Sequence, residues 1–547
     1  LILKKKQDFN ISYLLSKIFL EKKYSDEQIY KSTNNLKQPD IIYHNKDFIH
    51  ASEFIIQILE NNKKILIFGD YDVDGYSSTY LLYDFLSAIK ISCDYYIPDR
   101  FLDGYGPNKL LLKKLLKKNN YGLVIFVDCG SNSYDEINYL NSCGLKVIVI
   151  DHHKIHIVKT STKSVIINPL KNNLYDEGSF FCATSLVYFF IKYLVIKLKI
   201  KNNIYLKKYL FFSAIATICD QMPLRGHNKD IIINGLKNFD LSKFQNFKKL
   251  FNLKRKINAS DFGFTLGPIL NSSSRLGDPN LPFKLLIEKK TINIEKISKK
   301  LIDLNEKRKK IQIKTIDLLR DESENKKNEV IFKYKKNINE GILGIIAANF
   351  VELFNRPSFI LTNSGDFIKC SSRSIRGFDI GNIFYFALKN KIIVKGGGHS
   401  MAGGCTLKQN KLQEFKNFLN THFESKFANF KNIKFYSSEQ SFNSLLTFAK
   451  NEFKFLEPLI NDNLNPYFKI KNNRIVKFKV INDTHLHILI KNKYNKSCVC
   501  FAFNTIGSKL GYLLMNTKKE VDLIVQINNN NVQKNTDFNL IIKDAIA

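Results

Sequence analysis

The chain has 547 residues, of which 44% are hydrophobic and 24% are charged, a composition typical of a folded protein with roughly two to four domains. Its 84 basic and 50 acidic residues give a formal net charge of +34, which favours a polyanion as partner. Lysine far outnumbers arginine and tryptophan is absent, so an AT-rich genome is an alternative explanation for the charge. The nine cysteines are odd in number and include no CxxC pair, which argues against a disulfide scaffold and favours free thiols in a reducing compartment.

No apolar run of the sequence is long enough to cross a bilayer. The most apolar segment, 186–196, is short and contains Lys192, so we expect a buried helix there. The first residues lack the apolar core and the cleavage site of a signal peptide. These patterns predict a cytoplasmic protein without membrane contact.

In chain order, residues 1–60 resemble an N-terminal helical segment without catalytic groups. From 61 to 285, short apolar runs alternate with helix-like segments, which predicts a parallel α/β sheet whose ligands bind at the carboxyl ends of the strands. Residues 286–328 contain a long helix whose apolar positions recur every three, four or seven residues, while its other face is rich in lysine. Because the repeat is short, a bridge between domains is favoured over a coiled coil.

Two further units follow the long helix. Residues 329–430 have the pattern of a second α/β domain and contain the glycine-rich segments 341–344 and 396–398. Residues 431–547 have the pattern of strands separated by turn-rich breaks, which predicts a small β-barrel. The predicted fold class is therefore α/β: a parallel-sheet domain, a second α/β domain joined to it by a long helix, and a C-terminal barrel.

Four apolar segments each end in carboxylates or histidines. The side chains at these ends are Asp70, Asp72 and Asp74, then Asp128, then Asp151, His152 and His153, and finally Asp220. Like charges at such spacing repel one another, so a cation is expected among them. Because the ligands of parallel sheets gather at the carboxyl ends of strands, the four ends predict one site at one edge of a sheet.

A divalent metal is the cation that this set of side chains favours. Asp72 and Asp74 are two residues apart, which puts both on one side of an extended segment or tight turn, and Gly75 lets the chain turn into a helix near Tyr76. Carboxylates with one imidazole suit Mn²⁺, and Mg²⁺ less selectively. Two ions bridged by shared carboxylates would predict phosphoryl hydrolysis. A single aspartate at a strand end is more often a helix N-cap or a turn residue, so only the recurrence of the pattern favours the metal site.

Four motifs of the chain resemble those of the DHH phosphoesterase superfamily. They are Gly-Asp-Tyr-Asp-Val-Asp-Gly at 69–75, Val-Asp-Cys-Gly at 127–130, Asp-His-His at 151–153 and Cys-Asp at 219–220. Segments at 97–106, 216–224, 372–379 and 397–404 narrow the resemblance to the RecJ family of single-strand-specific 5′→3′ DNA exonucleases. The resemblance implies that the barrel is an OB-fold and that 329–430 is a DHH-associated, nucleic-acid-binding domain.

The resemblance also implies a role for each residue of the metal site. Its metal ligands fall on Asp72, Asp74, Asp128, His152 and Asp220, with Asp70 as an additional ligand. Asp128 and Asp220 would bridge the two ions. His153 would stabilise charge on the scissile phosphate, so Asp128 and His153 are the expected catalytic residues. Asp151 would orient His152 or cap the following turn.

The substrate-binding residues implied by the resemblance are Arg100, Arg275, Ser371, Arg373 and His399. The first four would hold a 5′-phosphate, because guanidinium groups bind phosphate oxygens bidentately. A surface ion pair is the alternative for Arg275. His399 follows three glycines and would contact a DNA phosphate.

Aromatic residues of the barrel are candidates for stacking against bases. They are Tyr467, Phe468, Phe478 and Phe503, and packing in the barrel core is the alternative for most of them.

The expected activity is the hydrolysis of single-stranded DNA from its 5′ end to mononucleotides, in DNA repair and recombination, with two Mn²⁺ or Mg²⁺ ions as cofactors. Single-stranded DNA is the expected partner of a monomeric chain, and a helicase and a single-strand-binding protein are further candidates. Two alternatives remain: a phosphodiesterase acting on short RNA oligonucleotides or cyclic dinucleotides, and a non-catalytic single-strand-binding scaffold. The long helix and barrel argue against the first, and a competent ligand at every metal position argues against the second.

Overall fold

The computed structural model describes most of the chain. The described ranges are 10–22, 24–33, 46–117, 119–155, 162–171, 181–200, 204–224, 227–237, 244–251, 259–320, 329–375, 377–427, 436–456, 465–492, 494–517, 519–528 and 539–546. None of the helices within these ranges is both long and apolar enough to cross a membrane.

Three helices precede the first strand. They are α1 (Tyr13–Glu21), α2 (Asp26–Thr33) and α3 (Lys46–Asn61). Helix α1 begins after Ser12, whose hydroxyl accepts a hydrogen bond from the backbone N–H of Leu15 at 3.1 Å. The apolar faces of these helices pack in the same core as the first sheet.

The first sheet is parallel throughout, with the strand order β2-β1-β3-β4-β5. Its strands are β1 (Lys64–Phe68), β2 (Cys93–Tyr96), β3 (Tyr121–Val127), β4 (Lys146–Ile150) and β5 (Ser164–Ile167). The central strands are apolar at nearly every position and buried on both faces, as expected for a parallel sheet covered by helices. The predicted parallel sheet is confirmed, and the carboxyl ends of β1, β3 and β4 lie side by side at one edge.

Helices cover both faces of this sheet. They are α4 (Val73–Ala88), α5 (Lys109–Leu116), α6 (Tyr134–Ser142), α7 (Ala183–Lys197), α8 (Ile204–Cys219), α9 (His227–Lys237), α10 (Gln245–Lys248), α11 (Gly267–Leu276) and α12 (Leu281–Ile287), with a turn at Ala259–Asp261 and a π-helix at Phe262–Leu266 before α11. The apolar segment 186–196 lies in the buried helix α7, as predicted. Helix α4 begins at Val73 and not near Tyr76, because Asp72 caps it. The apolar run before Asp220 lies in α8, so this aspartate reaches the sheet edge from a helix end.

Helix α13 (Thr291–Leu319) has 29 residues and is therefore about 44 Å long. Leu301, in its first half, packs in the core of the first unit. Ile316 and Leu319, in its last turn, pack with Leu343 of the following unit. The long helix therefore bridges the two units, as the sequence predicted.

The second unit contains a mixed sheet with the order β6-β7-β8-β10-β9, in which only β6 and β7 run parallel. Its strands are β6 (Ile331–Tyr334), β7 (Ser358–Ser364), β8 (Phe367–Arg373), β9 (Lys395–Gly398) and β10 (Ala402–Lys408), and its helices are α14 (Leu343–Phe354), α15 (Ile380–Lys389) and α16 (Leu412–Phe427), with 3₁₀ turns at Glu340–Ile342 and Gln409–Lys411. The rings of Phe359, Phe384 and Phe415 contact one another in its core.

The C-terminal unit is a closed barrel, because β12 pairs with both β13 and β15. Its strands are β11 (Ser438–Glu439), β12 (Phe468–Ile481), β13 (His485–Asn492), β14 (Ser497–Ala502), β15 (Val521–Asn528) and β16 (Asn539–Ile546), and its helices are α17 (Phe442–Asn451) and α18 (Lys509–Asn516), with a 3₁₀ turn at Phe453–Leu456. The short strand β11 pairs with β12 outside the closed circuit. The barrel interior is continuous with the core of the first unit.

All nine cysteines lie in the described ranges and are free thiols, as expected. Cys93 and Cys219 are half-buried, and Cys143, directly after α6, is exposed. The others are buried.

Candidate functional site

Three aspartates lie in and around the turn between β1 and α4. Asp72 is the N-cap of α4, since its Oδ1 accepts hydrogen bonds from the backbone N–H groups of Asp74 and Gly75 at 3.0 and 3.1 Å. Asp74 is buried in the first helical turn, and Asp70 is buried in the loop before it. The backbone approaches itself so closely here that a Cβ at Gly75 would lie 2.5 Å from the carbonyl oxygen of Asp70. The turn therefore holds three carboxylates against the end of β1.

The ends of β3 and β4 supply the next side chains. Asp128 follows β3 in a left-handed backbone conformation (φ +60°), which is uncommon for a residue other than glycine. Its backbone N–H donates to the carbonyl of Ile150, at the end of β4, at 3.0 Å. After β4, Asp151 Oδ1 accepts from the backbone N–H groups of His152 and His153 at 2.8 and 3.2 Å. Contacts within the chain therefore fix the backbone of both strand ends.

The side chain of His152 points into the centre of the acidic cluster. Its Nε2 lies 3.2 Å from Asp128 Oδ1, 3.5 Å from Asp220 Oδ2 and 3.6 Å from Asp74 Oδ2. Burial lowers the pKa of His152, which favours the neutral imidazole that binds metals. His152 Nε2 therefore faces three carboxylates, which come from the ends of α8 and β3 and from the first turn of α4.

A second group of carboxylates lies beside the first. One oxygen each from Asp70, Asp72 and Asp128 lies within 4.8 Å of the other two. Within the described ranges, neither Asp70 Oδ1 nor Asp128 Oδ1 accepts a hydrogen bond, although both atoms are buried and His152 Nε2 lies 3.2 Å from Asp128 Oδ1. Buried acceptors without a partner are costly, so a bound cation is expected at these oxygens. Asp128 belongs to both groups, which suits a ligand shared by two ions.

The pKa values of the acidic cluster also indicate a missing positive charge. Burial, followed by the charges of neighbouring aspartates, raises the pKa values of Asp70, Asp128 and Asp220 well above the usual range. A bound cation would relieve this repulsion. Carboxylate oxygens with one imidazole nitrogen are a ligand set that fits Mn²⁺ and Mg²⁺. The residues present therefore fit two divalent ions.

Asp151 holds the ring of the second histidine, His153. The distance from His153 Nδ1 to Asp151 Oδ1 is 2.7 Å. The Tyr105 hydroxyl lies 3.2 Å from His153 Nδ1 and 3.4 Å from Nε2, and it donates to the carbonyl of Asp128 at 3.2 Å. Burial disfavours a charge on His153, but the hydrogen bond to Asp151 and the charge of Asp151 outweigh it and raise the pKa of His153 to about 9. His153 is therefore an imidazolium near neutral pH. Of the two expected roles of Asp151, the cap of the following turn is confirmed, since Asp151 accepts from the backbone N–H groups of His152 and His153. The other is wrong, because the His152 ring turns toward Asp128.

Four arginines gather next to the acidic cluster: Arg100, Arg275, Arg308 and Arg373. Burial, followed by the charges of the other three, lowers the pKa of Arg275 to about 9. Burial and the charge of Arg100 lower the pKa of Arg373. Across the described part of the chain, none of the four lies within ion-pair distance of a carboxylate. Like charges held together without a counterion indicate an anion site.

Local contacts orient all four guanidinium groups. Arg308 donates to Asn305 Oδ1 at 2.6 Å and to Gln312 Oε1 at 2.8 Å. Arg275 Nη1 donates to the carbonyl of Gly341 at 2.7 Å, and Arg373 Nη1 donates to the carbonyl of the preceding residue at 2.8 Å. The guanidinium of Arg100 lies over the ring of Tyr71, 4.8 Å from its centroid. Arg100, Arg275 and Arg373 are each anchored through one face or one nitrogen, which leaves further N–H donors for an anion.

The second unit adds Ser371 and His399 to the site. Gly344 leaves room for the arginine cluster, since a Cβ there would lie 3.0 Å from Ser371 Oγ and 3.1 Å from Arg373 Nη2. The exposed ring of His399 stacks on that of His153, with centroids 6.3 Å apart. The second unit therefore approaches the acidic cluster directly, and the structure brings together the side chains that the sequence pointed to.

Three family models match the chain: the DHH family N-terminal domain over residues 64–217, the DHHA1 domain over 327–425 and the RecJ OB domain over 422–544. This chain is therefore similar to the DHH family over residues 64–217. Its three domains follow one another in the RecJ arrangement, with an OB-fold as the closed barrel.

Named relatives and solved structures agree with this similarity. The single-stranded-DNA-specific exonuclease RecJ of Bacillus subtilis is 27% identical over 516 residues, which cover 91% of this chain and 63% of the relative. The enzyme of the same name from Escherichia coli is 28% identical over 396 residues, which cover 67% of each chain. The crystal structure of RecJ in complex with Mn²⁺ from Thermus thermophilus covers 100% of this chain and 78% of its own, with a TM-score of 0.80 and 20% identity, and shows the same fold. The chain thus spans about 63% of the length of its Bacillus relative.

Three residues of the site lie outside the positions that the DHH motifs pointed to. Tyr105 contacts His153, and its segment 97–106 was itself a signal, since it is one of those that resemble the RecJ family. Arg308 lies on the same face of α13 as the buried Leu301 and Asn305, and an arginine in a helix otherwise rich in lysine is the available signal. Thr184 contacts Asp74 from 110 residues away, and no sequence pattern indicates that contact.

Proposed function

We propose that the chain is a metal-dependent exonuclease that hydrolyses single-stranded DNA from its 5′ end to mononucleotides, in DNA repair and recombination. The observation that carries this proposal is the convergence of the aspartates and His152 on one sheet edge, beside a cluster of unpaired arginines. Metal ligands next to an anion pocket suit a phosphodiester substrate whose neighbouring phosphate is held during cleavage. The names of the relatives from Bacillus and Escherichia support the same activity.

The proposed metal ligands are those given by the motifs: Asp72, Asp74, Asp128, His152 and Asp220, with Asp70 as an additional ligand. The proposed cofactors are two Mn²⁺ or Mg²⁺ ions, a choice supported by the Thermus structures described as complexes with Mn²⁺ and with Mg²⁺. When bound, such ions lower the pKa of an attacking water and neutralise charge on the scissile phosphate. Asp128 and Asp220 are the proposed shared ligands.

His153 has the charge and the position to stabilise the phosphate as negative charge develops on it. Asp151 holds the proton on Nδ1, so the Nε2 proton is available to a non-bridging phosphate oxygen. The Tyr105 hydroxyl contacts the edge of the ring, 3.2 Å from Nδ1 and 3.4 Å from Nε2, and holds the ring at the rim of the acidic cluster. His399 presents a second imidazole from the DHHA1 domain on the same side. His153 and Asp128 are the proposed catalytic residues.

The arginine cluster accounts for the proposed polarity. Arg100, Arg275 and Arg373, together with Ser371, would bind the terminal 5′-phosphate, which places the next phosphodiester toward the metal ligands. A 3′ end with a free hydroxyl offers no dianion to these guanidinium groups, so the 5′ end is selected.

The barrel would guide the incoming strand. Phe478 and Phe503 are 43% and 47% exposed and remain available for base stacking. Phe468 is fully buried, so core packing explains it, and Tyr467 is half-buried. We further propose single-stranded DNA as the partner, a helicase and a single-strand-binding protein as suppliers of that strand, a monomeric chain and a cytoplasmic location.

Digestion of one oligonucleotide, labelled at either its 5′ or its 3′ end, tests the activity and its polarity. With Mn²⁺ we expect the 5′ label to appear at once as a mononucleotide, while the 3′ label stays on a ladder of shortening strands. The same sequence in a blunt duplex is the control and should be resistant.

Three other outcomes would contradict the proposed activity. Early release of the 3′ label would contradict the role of the arginine cluster. Hydrolysis of short RNA oligonucleotides or cyclic dinucleotides without hydrolysis of DNA would favour the alternative phosphodiesterase. Binding of DNA without any hydrolysis at saturating metal would favour a scaffold.

A further inference from the structure

Asp74, one of the proposed metal ligands, is held by the N-terminus of helix α7. Its Oδ1 accepts hydrogen bonds from the Thr184 hydroxyl at 2.6 Å and the Thr184 backbone N–H at 2.7 Å, and its Oδ2 accepts from the Ala183 backbone N–H at 2.7 Å. Both amides belong to the first turn of α7, where N–H groups have no partner within the helix. The N-cap residue Cys182 makes no capping bond through its side chain. Asp74 therefore caps α7 from a distant segment.

These three hydrogen bonds determine which oxygen of Asp74 can reach a metal. An ionised carboxylate has about four acceptor positions, two on each oxygen. Thr184 occupies both positions of Oδ1, and Ala183 occupies one position of Oδ2. The oxygen that keeps a free position, Oδ2, is also the one that lies 3.6 Å from His152 Nε2. Asp74 is therefore arranged to bind a cation through Oδ2 alone.

We infer that Thr184 is a positioning residue of the metal centre, an inference that rests on the proposed function. Of the three donors to Asp74, two are backbone N–H groups, which remain after most substitutions. Only the Thr184 hydroxyl belongs to a side chain, so only this donor can be removed by mutation. Without the hydroxyl, Oδ1 regains a free acceptor position, and the carboxylate can rotate about its Cβ–Cγ bond or bind through both oxygens. Asp74 then no longer presents a single, fixed oxygen toward His152.

The hydroxyl of Thr184 has a second acceptor nearby, the backbone carbonyl of Asp74. A hydrogen bond to that carbonyl would give Thr184 a purely structural role. Its Oγ1 lies 3.0 Å from the backbone carbonyl oxygen of Asp74, compared with 2.6 Å from Oδ1 of the same residue. A hydroxyl has one proton to donate, and the carboxylate is both nearer and charged, so it is the stronger acceptor. A bond to the carbonyl alone would tie α7 to α4 without affecting the metal ligand.

Replacing Thr184 by valine and by serine separates these two roles. Thr184→Val keeps the shape and the backbone N–H but removes the hydroxyl, whereas Thr184→Ser restores it. Thr315→Val is the matched control, because the buried Thr315 hydroxyl donates to the carbonyl of Ile311 within α13. For each protein, the affinity of the free full chain for Mn²⁺ is measured from the electron paramagnetic resonance signal of unbound Mn²⁺, and thermal unfolding is followed in EDTA.

We expect Thr184→Val to weaken Mn²⁺ binding about 10-fold, as loss of an outer hydrogen bond to a metal ligand does, with wild-type affinity in Thr184→Ser and Thr315→Val. Hydrolysis of single-stranded DNA by Thr184→Val should need correspondingly more Mn²⁺. Wild-type affinity in Thr184→Val, or the same loss in Thr184→Ser, would overturn the inference. If Thr184→Val does not fold, Thr184→Ala is compared with Thr184→Ser by the same criteria. A wild-type chain that binds no Mn²⁺ would instead contradict the proposed function itself.

Discussion

The acidic cluster and the arginine cluster are neighbours with opposite charge, yet they are assembled in different ways. The acidic cluster comes from strand ends and helix ends of the DHH domain, between residues 70 and 220. The arginine cluster combines Arg100 of that domain with Arg275 of α11, Arg308 of α13 and Arg373 of β8. Within each cluster, side chains of like charge repel one another in the folded chain, so each cluster indicates a ligand of the opposite charge.

The two clusters therefore depend on different contacts. Strand register and the cap of α4 fix the aspartates, whereas the contact between the DHH region and the DHHA1 domain fixes the arginines. At that contact, a Cβ on Gly341 would lie 2.5 Å from the carbonyl oxygen of Arg275. Metal binding should therefore tolerate changes at the domain contact that phosphate recognition does not tolerate.

The largest effect is expected from Asp128→Asn, which removes the charge common to both groups of carboxylates. Asparagine also tolerates the left-handed backbone of this position, so the fold should remain. We expect nucleotide release with Mn²⁺ to fall about 1,000-fold or more, while single-stranded DNA still binds. The control is Asp135→Asn, at an exposed position of α6. Hydrolysis within tenfold of the wild-type rate would contradict the metal assignment.

A smaller effect, confined to the arginine cluster, is expected from Arg373→Lys. Lysine keeps the charge but loses the planar, bidentate contact with phosphate. The preference for a 5′-phosphorylated over a 5′-hydroxyl oligonucleotide, measured as the ratio of kcat/KM values, should fall about 10-fold, with unchanged affinity for Mn²⁺. Arg474→Lys, at an exposed position of the barrel, is the control. An unchanged preference would mean that the 5′-phosphate is bound elsewhere.

The independence of the two clusters is tested by Gly341→Ala. The added methyl group must push Gly341 away from Arg275, which displaces the guanidinium that donates to the Gly341 carbonyl. Because misplacing a substrate-positioning group slows the reaction, we expect kcat/KM on the 5′-phosphorylated strand to fall about fivefold. Gly404→Ala is the control in the same domain, since a Cβ there meets nothing closer than 3.4 Å. Parallel loss of Mn²⁺ affinity in Gly341→Ala would show that the two clusters are coupled.

The smallest effect is expected from breaking an ion pair on the barrel. In this pair opposite charges attract each other, whereas like charges repel in both clusters. Lys469 Nζ lies 3.0 Å from Asp522 Oδ2. Burial opposes the charge of Asp522, but the hydrogen bond from Lys469 outweighs it and lowers the pKa of Asp522. Because the folded-state pKa is the lower one, the carboxylate stabilises the fold above its unfolded-state pKa and loses this contribution as pH falls through the folded-state value.

Asp522→Asn should therefore lower the thermal midpoint slightly at pH 7, by about 1 °C, and the difference from wild type should shrink below about pH 4. The measurement is thermal unfolding as a function of pH. Asp483→Asn, in the exposed turn between β12 and β13, should show no such dependence. A difference that grows on acidification would reverse the assigned direction of the pKa shift.

The fold class was predictable because it depends on local periodicity. The apolar runs of β3 and β4 and the repeat of α13 indicate the parallel sheet and the long helix directly. The start of α4 was misplaced, because a capping bond from the Asp72 side chain, rather than a pattern of apolar residues, fixes it. The apolar run before Asp220 did not reveal its helix, since a helix buried on all sides has no polar face.

The acidic half of the site was predictable for a topological reason, since the carboxyl ends of parallel strands such as β3 and β4 meet at one edge. Arg100, Arg275 and Arg373 were predicted as one phosphate pocket through the family resemblance alone. Arg308 was missed, because it joins the cluster only through the packing of α13. The contact between Thr184 and Asp74 spans 110 residues, so spacing along the chain carries no information about it. Which of the two histidine rings contacts Asp151 depends on side-chain rotation, and a sequence motif carries no information about rotation.

Cys143, the exposed thiol at the end of α6, provides a natural attachment point for a probe. The other eight cysteines are buried or half-buried, and thiol reagents require an accessible thiolate, so a maleimide dye should attach to Cys143 first. The unmodified sequence therefore offers a labelling site without a single substitution. A fluorescent donor there and an acceptor on the DNA would test the proposed shortening of the strand one molecule at a time.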